Sequence, residues 1–382
     1  MNSIELFSGG GGLALGLVKS GFHHKAIVEL NKNACKTIRL NSAFDFGKCV
    51  YECSVVNFDY TAIDADIDLI SGGPPCQPFS LGGKAKGNED SRDMFPQAIR
   101  AIREKRPKAF IFENVKGLMR KSFSDYFEYI TLQLQYPSLN KAIDEPWQLH
   151  KSRLDHYHAQ SDHMQLEYKV TCKLVNAADY GIPQKRERIF FIGFRSDIDQ
   201  NWEFPTPTHS EESLIWDKWV SGEYWERHNL PVQIAQEKML KKVDKIRQKY
   251  RLSTPQSLPW VTVRDALSGL PDCEHEDAKN YNQHVFKGGA KIYPGHTGSY
   301  IDEPSKALKA GAHGVPGGEN MIRFEDGSVR YYTVRESARI QAFPDDFSFE
   351  GSWGEVMRQL GNAVPAKLAE QIGLSIFTAL KK

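Results

Sequence analysis

The chain has no apolar run long enough to cross a bilayer, and its opening MNSIELFSGG runs directly into structured pattern, so no charged-then-apolar leader is expected. No membrane association is expected, and a cytoplasmic location is the default expectation. Cysteine is sparse: Cys35, Cys49, Cys53, Cys76, Cys172 and Cys273 form no repeated framework. Cys49 and Cys53 are four apart, but no second Cys or His pair stands at zinc-site spacing. Neither a structural metal nor a disulfide network is expected. Charge of one sign is also lacking, with 49 Lys+Arg against 48 Asp+Glu. Any phosphate-facing surface must therefore come from local clustering. What is present is an ordinary globular composition, 40% hydrophobic and 25% charged over 382 residues. That length suffices for two domains, or for one with an insertion.

Through the first half, short apolar strands alternate with helical segments, the pattern of a parallel α/β sheet. Strands are expected at Ser3–Leu6, Lys25–Val28, Ile67–Ser71, Ala109–Phe112, Tyr168–Val175 and Ile189–Phe194. Helices are expected at Leu13–Ser20, Asn31–Asn41, Arg92–Arg106 and Phe123–Leu134, the third ended by Pro107. Residues 137–166 are polar, aromatic and irregular, and read as an inserted excursion. Beyond Arg195 the alternation stops. Residues 202–259 are rich in Trp, Pro and charge and include a basic helical stretch, Lys238–Arg251; residues 288–318 are dense in glycine. A last amphipathic helix, Val364–Leu380, closes the chain.

Four segments carry chemistry. Phe7-Ser8-Gly9-Gly10-Gly11-Gly12 joins a strand to a helix, and Glu29 ends the next strand. Glycines let the backbone approach a ligand at a helix N-terminus, and the acidic group suits ribose hydroxyls. A ligand-free tight turn would want the same glycines, so both readings stand. Cys76 lies in a proline-braced loop, Gly72–Ser80, at a strand's carboxyl end, where open α/β sheets place ligands. Cysteine is already a good nucleophile there, against the plainer reading of a buried structural thiol. The polar, glycine-rich Gly82–Asp93 that follows suits a lid. Glu113, in Glu113-Asn114-Val115, ends the next strand on the same rim, where a carboxyl beside a nucleophile in a closed site could hold or donate a proton, against the plainer reading of a solvated strand end. In Gln184-Lys185-Arg186-Glu187-Arg188, alternate positions on an extended chain face one way, which pairs Arg186 with Arg188. Lys185 and Glu187 read as a solvated face.

With Arg335-Glu336-Ser337-Ala338-Arg339-Ile340-Gln341 and Gly361-Asn362-Ala363-Val364-Pro365, these segments resemble the ordered motifs of the DNA (cytosine-5)-methyltransferases of bacterial restriction–modification systems. The resemblance spans nearly the whole chain. It implies a Rossmann-like S-adenosylmethionine-dependent sheet with helices on both faces, plus a smaller loop-rich target-recognition domain. Residues 1–194, completed by 354–382, would form the catalytic domain, and 195–353 the target-recognition domain. By the same resemblance Cys76 adds to C6 of cytosine, Glu113 contacts N3 and the exocyclic amine, Arg188 engages O2, and Arg186 helps hold the base and the glutamate. Phe7, Gly9, Gly11, Gly12, Glu29, Ser54, Pro75 and Asn362 fall on cofactor-contacting positions. One departure stands out. Where the family has an aspartate for the adenine amino group, this chain has Ser54, with Asp59 nearby as a substitute.

The implied substrate is a short specific sequence in double-stranded DNA, from which the target nucleotide must be extruded. The resemblance further implies a monomer, no metal, and a cognate restriction endonuclease acting separately. Residues 288–318 are candidates for base reading, and Lys238–Arg251 for phosphate contact or a plain solvated face. The alternative substrate is tRNA, methylated by the same chemistry in one branch of the family. A nicotinamide oxidoreductase on a Rossmann sheet would leave Pro75-Cys76-Gln77, Glu113 and the paired arginines without a use.

Overall fold

In the computed structural model, seven segments assemble into one sheet: β1 (Asn2–Leu6), β2 (His23–Glu29), β3 (Val50–Glu52), β4 (Leu69–Gly72), β5 (Ala109–Val115), β6 (Tyr168–Asn176) and β7 (Glu187–Arg195). The structure describes residues 1–382 apart from 45, 47, 76–92, 161–164, 199, 200, 234, 236, 252, 312–319 and 382. Cys76 and residues 82–92 of the expected lid therefore lie outside the described residues. The strand order is β3-β2-β1-β4-β5-β7-β6. Strands β1 to β5 are parallel; the central β1, β4 and β5 are almost wholly buried, as a sheet covered on both faces requires, while β2 is partly and edge strand β3 largely exposed.

Strand β7 runs antiparallel to β5, which corrects the expectation of a wholly parallel sheet. The reason lies in the connection. Backbone bonds from Ser196 to Glu167 and from Ala177 to Arg186 close a hairpin between β6 and β7. A chain that returns through so short a link, without a helical crossover, must run antiparallel.

Helices fill the crossovers: α1 (Gly12–Lys19), α2 (Lys32–Leu40), α3 (Phe95–Lys105), α4 (Ser124–Gln135) and α5 (Trp147–His158), with α6 (Trp353–Asn362) and α7 (Ala366–Leu380) near the end of the chain. Asn31 caps α2 by accepting from the Ala34 N–H at 2.9 Å. Helix α3 stops at Arg106, whose φ of 44° is left-handed, just before Pro107. The excursion over 137–166 is not irregular as expected, since α5 occupies its middle. Leu154 is fully buried in the core cluster with Tyr129 and Tyr136, and Trp147 packs against that cluster. His150 is sandwiched between the Tyr129 hydroxyl and the Leu139 carbonyl. Aromatic spacing too loose for a helical stripe hid this helix from the periodicity.

Helix α7 packs against α1 at very short range. A Cβ added at Gly16 would lie 2.4 Å from Ala369 Cβ and 2.5 Å from the Glu370 nitrogen. Ser20 Oγ donates to the Glu370 carbonyl at 2.9 Å. The C-terminal helix is thus part of the first sheet's packing.

The chain divides into two compact units, one of residues 1–175, 187–205 and 347–382, the other of 176–186 and 206–346. Trp202 belongs to the first, 5.6 Å from the Phe194 ring and donating its indole N–H to Ser375 at 3.1 Å. The second unit has small cores and short strands. One cluster gathers Leu214, Tyr224, Trp225 and Trp260; another gathers Val263, Leu308, Ile322, Tyr332 and Ile340. Among the described residues, no helix is long and apolar enough to cross a membrane.

Candidate active site

Register places the loops of the first unit on one line. Val28 of β2, Leu6 of β1, Gly72 of β4 and Phe112 of β5 are successive partners across the sheet. The chain after each therefore leaves from the same rim: Phe7–Gly12, Glu29, Gly73–Pro75 and Glu113–Val115.

On one side of this rim, Phe7, Gly9 and Gly11 all have left-handed φ, 54°, 53° and 86°. At Phe7 a side chain is carried in a conformation that costs it free energy. The turn they make aims the Gly9 N–H at Glu29 Oε2, 2.8 Å away, while Asn31 N donates to Oε1 at 2.7 Å. Both carboxylate oxygens are thereby oriented, and each keeps a lone pair for an outside hydroxyl. A Cβ at Gly9 would meet nothing within 4 Å, so open space lies beside the strained loop. Gly12 begins α1, whose N-cap Gly11 offers no side-chain acceptor to the first amides. A glycine turn at a helix N-terminus with open space beside it, next to an anchored carboxylate, fits the ribose and charged tail of a nucleoside cofactor.

Ser54 caps the short turn Val55–Asn57, accepting from Val56 N at 3.3 Å. Asp59 is engaged by Thr61, whose N–H and hydroxyl both reach Oδ1, and these bonds hold its carboxyl below the usual range. Of the two candidates for the departed aspartate, Ser54 has the less committed side chain. Asn362 is exposed at the last position of α6.

On the other side of the rim, Glu113 is 7% exposed. It pairs with Phe190 across the antiparallel register, so Arg188, two residues further, is its diagonal neighbour on the same face. Arg188 Nε lies 2.8 Å from Glu113 Oε1. Glu187, pointing the other way, pairs with Lys116 at the surface at 2.8 Å. Asn114 turns back: its Nδ2 donates to the Pro74 carbonyl at 2.9 Å, and its Oδ1 accepts from Val115 N. Pro75 is exposed, and its carbonyl accepts from Met94 N at 3.0 Å. The residues on either side of 76–92 are thus pinned to each other and to β5.

Arg186 belongs to the second unit, where it is 1% exposed and donates from Nη1 to the Leu308 carbonyl at 3.1 Å. The helix Glu237–Tyr250 buries Val243 and Ile246 and pairs Lys242 with Glu211 and Lys249 with Glu212. Lys238, Lys241 and Lys245 follow an i, i+3, i+7 spacing on its outer side. Among the described residues no group of three His, Cys, Asp or Glu could hold a metal.

Two site residues escaped the sequence reading. Gln359 accepts from Thr37 Oγ1 at 2.8 Å, donates to the Glu350 carbonyl, and lies 3.1 Å from where a Gly10 Cβ would be. It supports the glycine loop from α6. Its only signal was a position three residues before Asn362, hence on the same helix face. Glu5, at 1% exposure, is the other: Ser71 Oγ donates to it, and burial pushes its carboxyl up to about 8.

The chain matches the family model of C-5 cytosine-specific DNA methylases over residues 1–136 and 149–378. It is similar to the Type II methyltransferase M.NgoMIV of Neisseria gonorrhoeae, 32% identical over 384 residues that cover 100% of this chain and 98% of that one. Type II methyltransferase M.PspPI of Psychrobacter sp. (strain TA137) is 34% identical over 382 residues, 99% of this chain and 79% of that one. Among solved structures, the S. pombe Dnmt2 methyltransferase shares the fold, with a TM-score of 0.57 and 16% identity over 100% of this chain and 98% of that one. The family match on a seven-stranded α/β sheet with one reversed strand defines an α/β methyltransferase. The chain belongs to the C-5 cytosine-specific DNA methylase family and is a DNA (cytosine-5)-methyltransferase.

Proposed function

We propose that this enzyme methylates cytosine within one short double-stranded DNA sequence as the modification arm of a Type II restriction–modification system. In this reading it acts as a cytoplasmic monomer, and its cognate endonuclease acts separately. Its relatives M.NgoMIV and M.PspPI bear the Type II name, and the family model is one of DNA methylases, which disfavours the tRNA alternative. The observation that carries the site assignment is the Glu113–Arg188 pair on the same rim as the Gly9–Glu29 turn.

S-adenosylmethionine, when bound, supplies an electrophilic methyl group carried on a sulfonium. Glu29 and the Phe7–Gly12 turn would hold it, with Ser54, Pro75 and Asn362 as further contacts. The cytosine is drawn out of the stack, because C6 and C5 are out of reach inside a duplex. Glu113 would meet N3 and the exocyclic amine, its carboxyl oriented by Arg188 at 2.8 Å, which in turn would serve O2. Arg186 helps hold the base. The Cys76 thiolate adds to C6, which pushes electron density to C5. Once C5 carries the methyl group and S-adenosylhomocysteine has been released, a water takes the C5 proton. The C–H electrons restore the C5–C6 double bond and the C6–S electrons return to sulfur, giving 5-methylcytosine and free Cys76 thiolate. The second unit reads the sequence, and Lys238, Lys241 and Lys245 contact phosphate.

Bisulfite sequencing of DNA from a methylation-free bacterial host expressing the chain tests this. Protection at one short recurrent sequence is expected, and none with Cys76→Ala, although that variant still binds S-adenosylhomocysteine. Full turnover by Cys76→Ala would sink the adduct mechanism.

A further inference from the structure

The second unit contains a three-stranded sheet in which Met321–Arg323 lies between Ser299–Tyr300 and Val329–Tyr331. Tyr300 and Arg323 are direct partners in the parallel register, so their side chains leave the same face. Arg323 Cζ stands 4.8 Å from the centre of the Tyr300 ring, and Tyr300 is 52% exposed.

Nearby arginines are committed elsewhere. Arg264 pairs with Asp302 and Glu325, Arg330 with Glu336, and Arg339 with Asp345. Arg323 is held by no acidic group among the described residues, and its Nε has no hydrogen-bond partner there. The Tyr300 ring lies against the guanidinium, whose Nε is buried and whose Nη donors make no hydrogen bond to a described residue. The fork is therefore pre-ordered, and less rotamer freedom is lost when an outside acceptor arrives.

We propose that Arg323, stacked on Tyr300, reads a guanine of the recognised sequence by donating to O6 and N7 in the major groove. The match is chemical: guanine presents two adjacent acceptors there, which a guanidinium meets bidentately. A short rigid strand pair presents such a fork better than a loop does. This inference rests on the reading that the second unit recognises the target.

The test begins with wild-type enzyme and the sequence found by bisulfite mapping. Each guanine of that site is replaced singly by 7-deazaguanine, which lacks the N7 acceptor, and kcat/KM is measured for wild type, Arg323→Gln and Tyr300→Leu. Wild type is expected to lose about 10- to 100-fold at one guanine. Arg323→Gln is expected to lose a similar factor on the unmodified duplex and nothing further at that guanine, with Tyr300→Leu intermediate. Urea-denaturation and circular-dichroism profiles that match wild type certify that the variants are folded. If every analogue keeps its full penalty in Arg323→Gln, the inference is overturned. It is equally overturned if the variant weakens all sequences alike and lowers the salt slope by about one, the mark of a phosphate contact. A recognised sequence without guanine also ends it. Absence of any DNA methylation by wild type would instead bring down the functional reading on which it rests.

Discussion

Asn114 shows how much a single side chain does at this rim. Its one amide braces the Pro74 carbonyl and, through its own oxygen, the start of the loop after β5. Asn114→Ala removes the brace two residues before Cys76 and leaves a carbonyl without its donor. Small misplacements of a reacting group are costly, so single-turnover methyl transfer is expected to fall about 10- to 100-fold. Binding of S-adenosylhomocysteine is expected to be unchanged, and an unaffected turnover would remove Asn114 from the positioning machinery. Glu5 makes a different statement. Its carboxyl is raised by burial to about 8, with the Ser71 hydroxyl donating to it. Below about 4.5 the group is neutral in both folded and unfolded chains. As pH rises from there to about 8, the unfolded chain ionises first and the folded state progressively loses stability. Glu5→Gln is therefore expected to match wild type near pH 5 in urea denaturation and to exceed it at pH 9. Equal midpoints at both pH values would refute the assignment.

Among the elements, α1 and α7 test the packing. Gly16 sits where any Cβ would strike backbone atoms of Glu370 and Ala366 at 2.5 and 2.6 Å. Gly16→Ala improves helix propensity by up to about 1 kcal/mol. Forcing the helices apart costs about 1–3 kcal/mol, so a net loss in urea stability is expected. No loss would mean that the two helices can separate freely. The strands were largely legible because each is a short apolar run bounded by turn residues. Leu69–Gly72 and Ala109–Val115 could be read this way even though neither alternates. Helix α5 was not legible. Its buried contacts, His150 and Leu154 among polar neighbours, carry no helical stripe strong enough to see.

Across the whole molecule, the chain forms two compact units. The first carries the sheet, the glycine turn and the Glu113–Arg188 pair; the second holds the small cores and the Tyr300–Arg323 stack. A chimera with residues 206–346 replaced by the matching stretch of M.NgoMIV is expected to remain a cytosine methyltransferase and to methylate a different sequence. Bisulfite mapping reads the result, and an active chimera with unchanged specificity would place recognition elsewhere.

Family, reaction and the identity of most candidate residues were determined by the sequence itself. They depend on which chemical groups stand in which order: the glycine turn, the acidic strand end, Glu113 and Arg188. Tertiary structure alone decided which of these groups touch. The reversal of β7 came from its short hairpin with β6, and it is that reversal which sets Arg188 diagonally beside Glu113, a residue far from it in the chain. Gln359 supports Gly10 from more than three hundred residues away, and Arg323 meets Tyr300 only because two short strands align. Periodicity records how a segment meets its own surroundings within a turn or a strand. It carries nothing about partners brought together by chain reversal, because those depend on the packing of the whole unit.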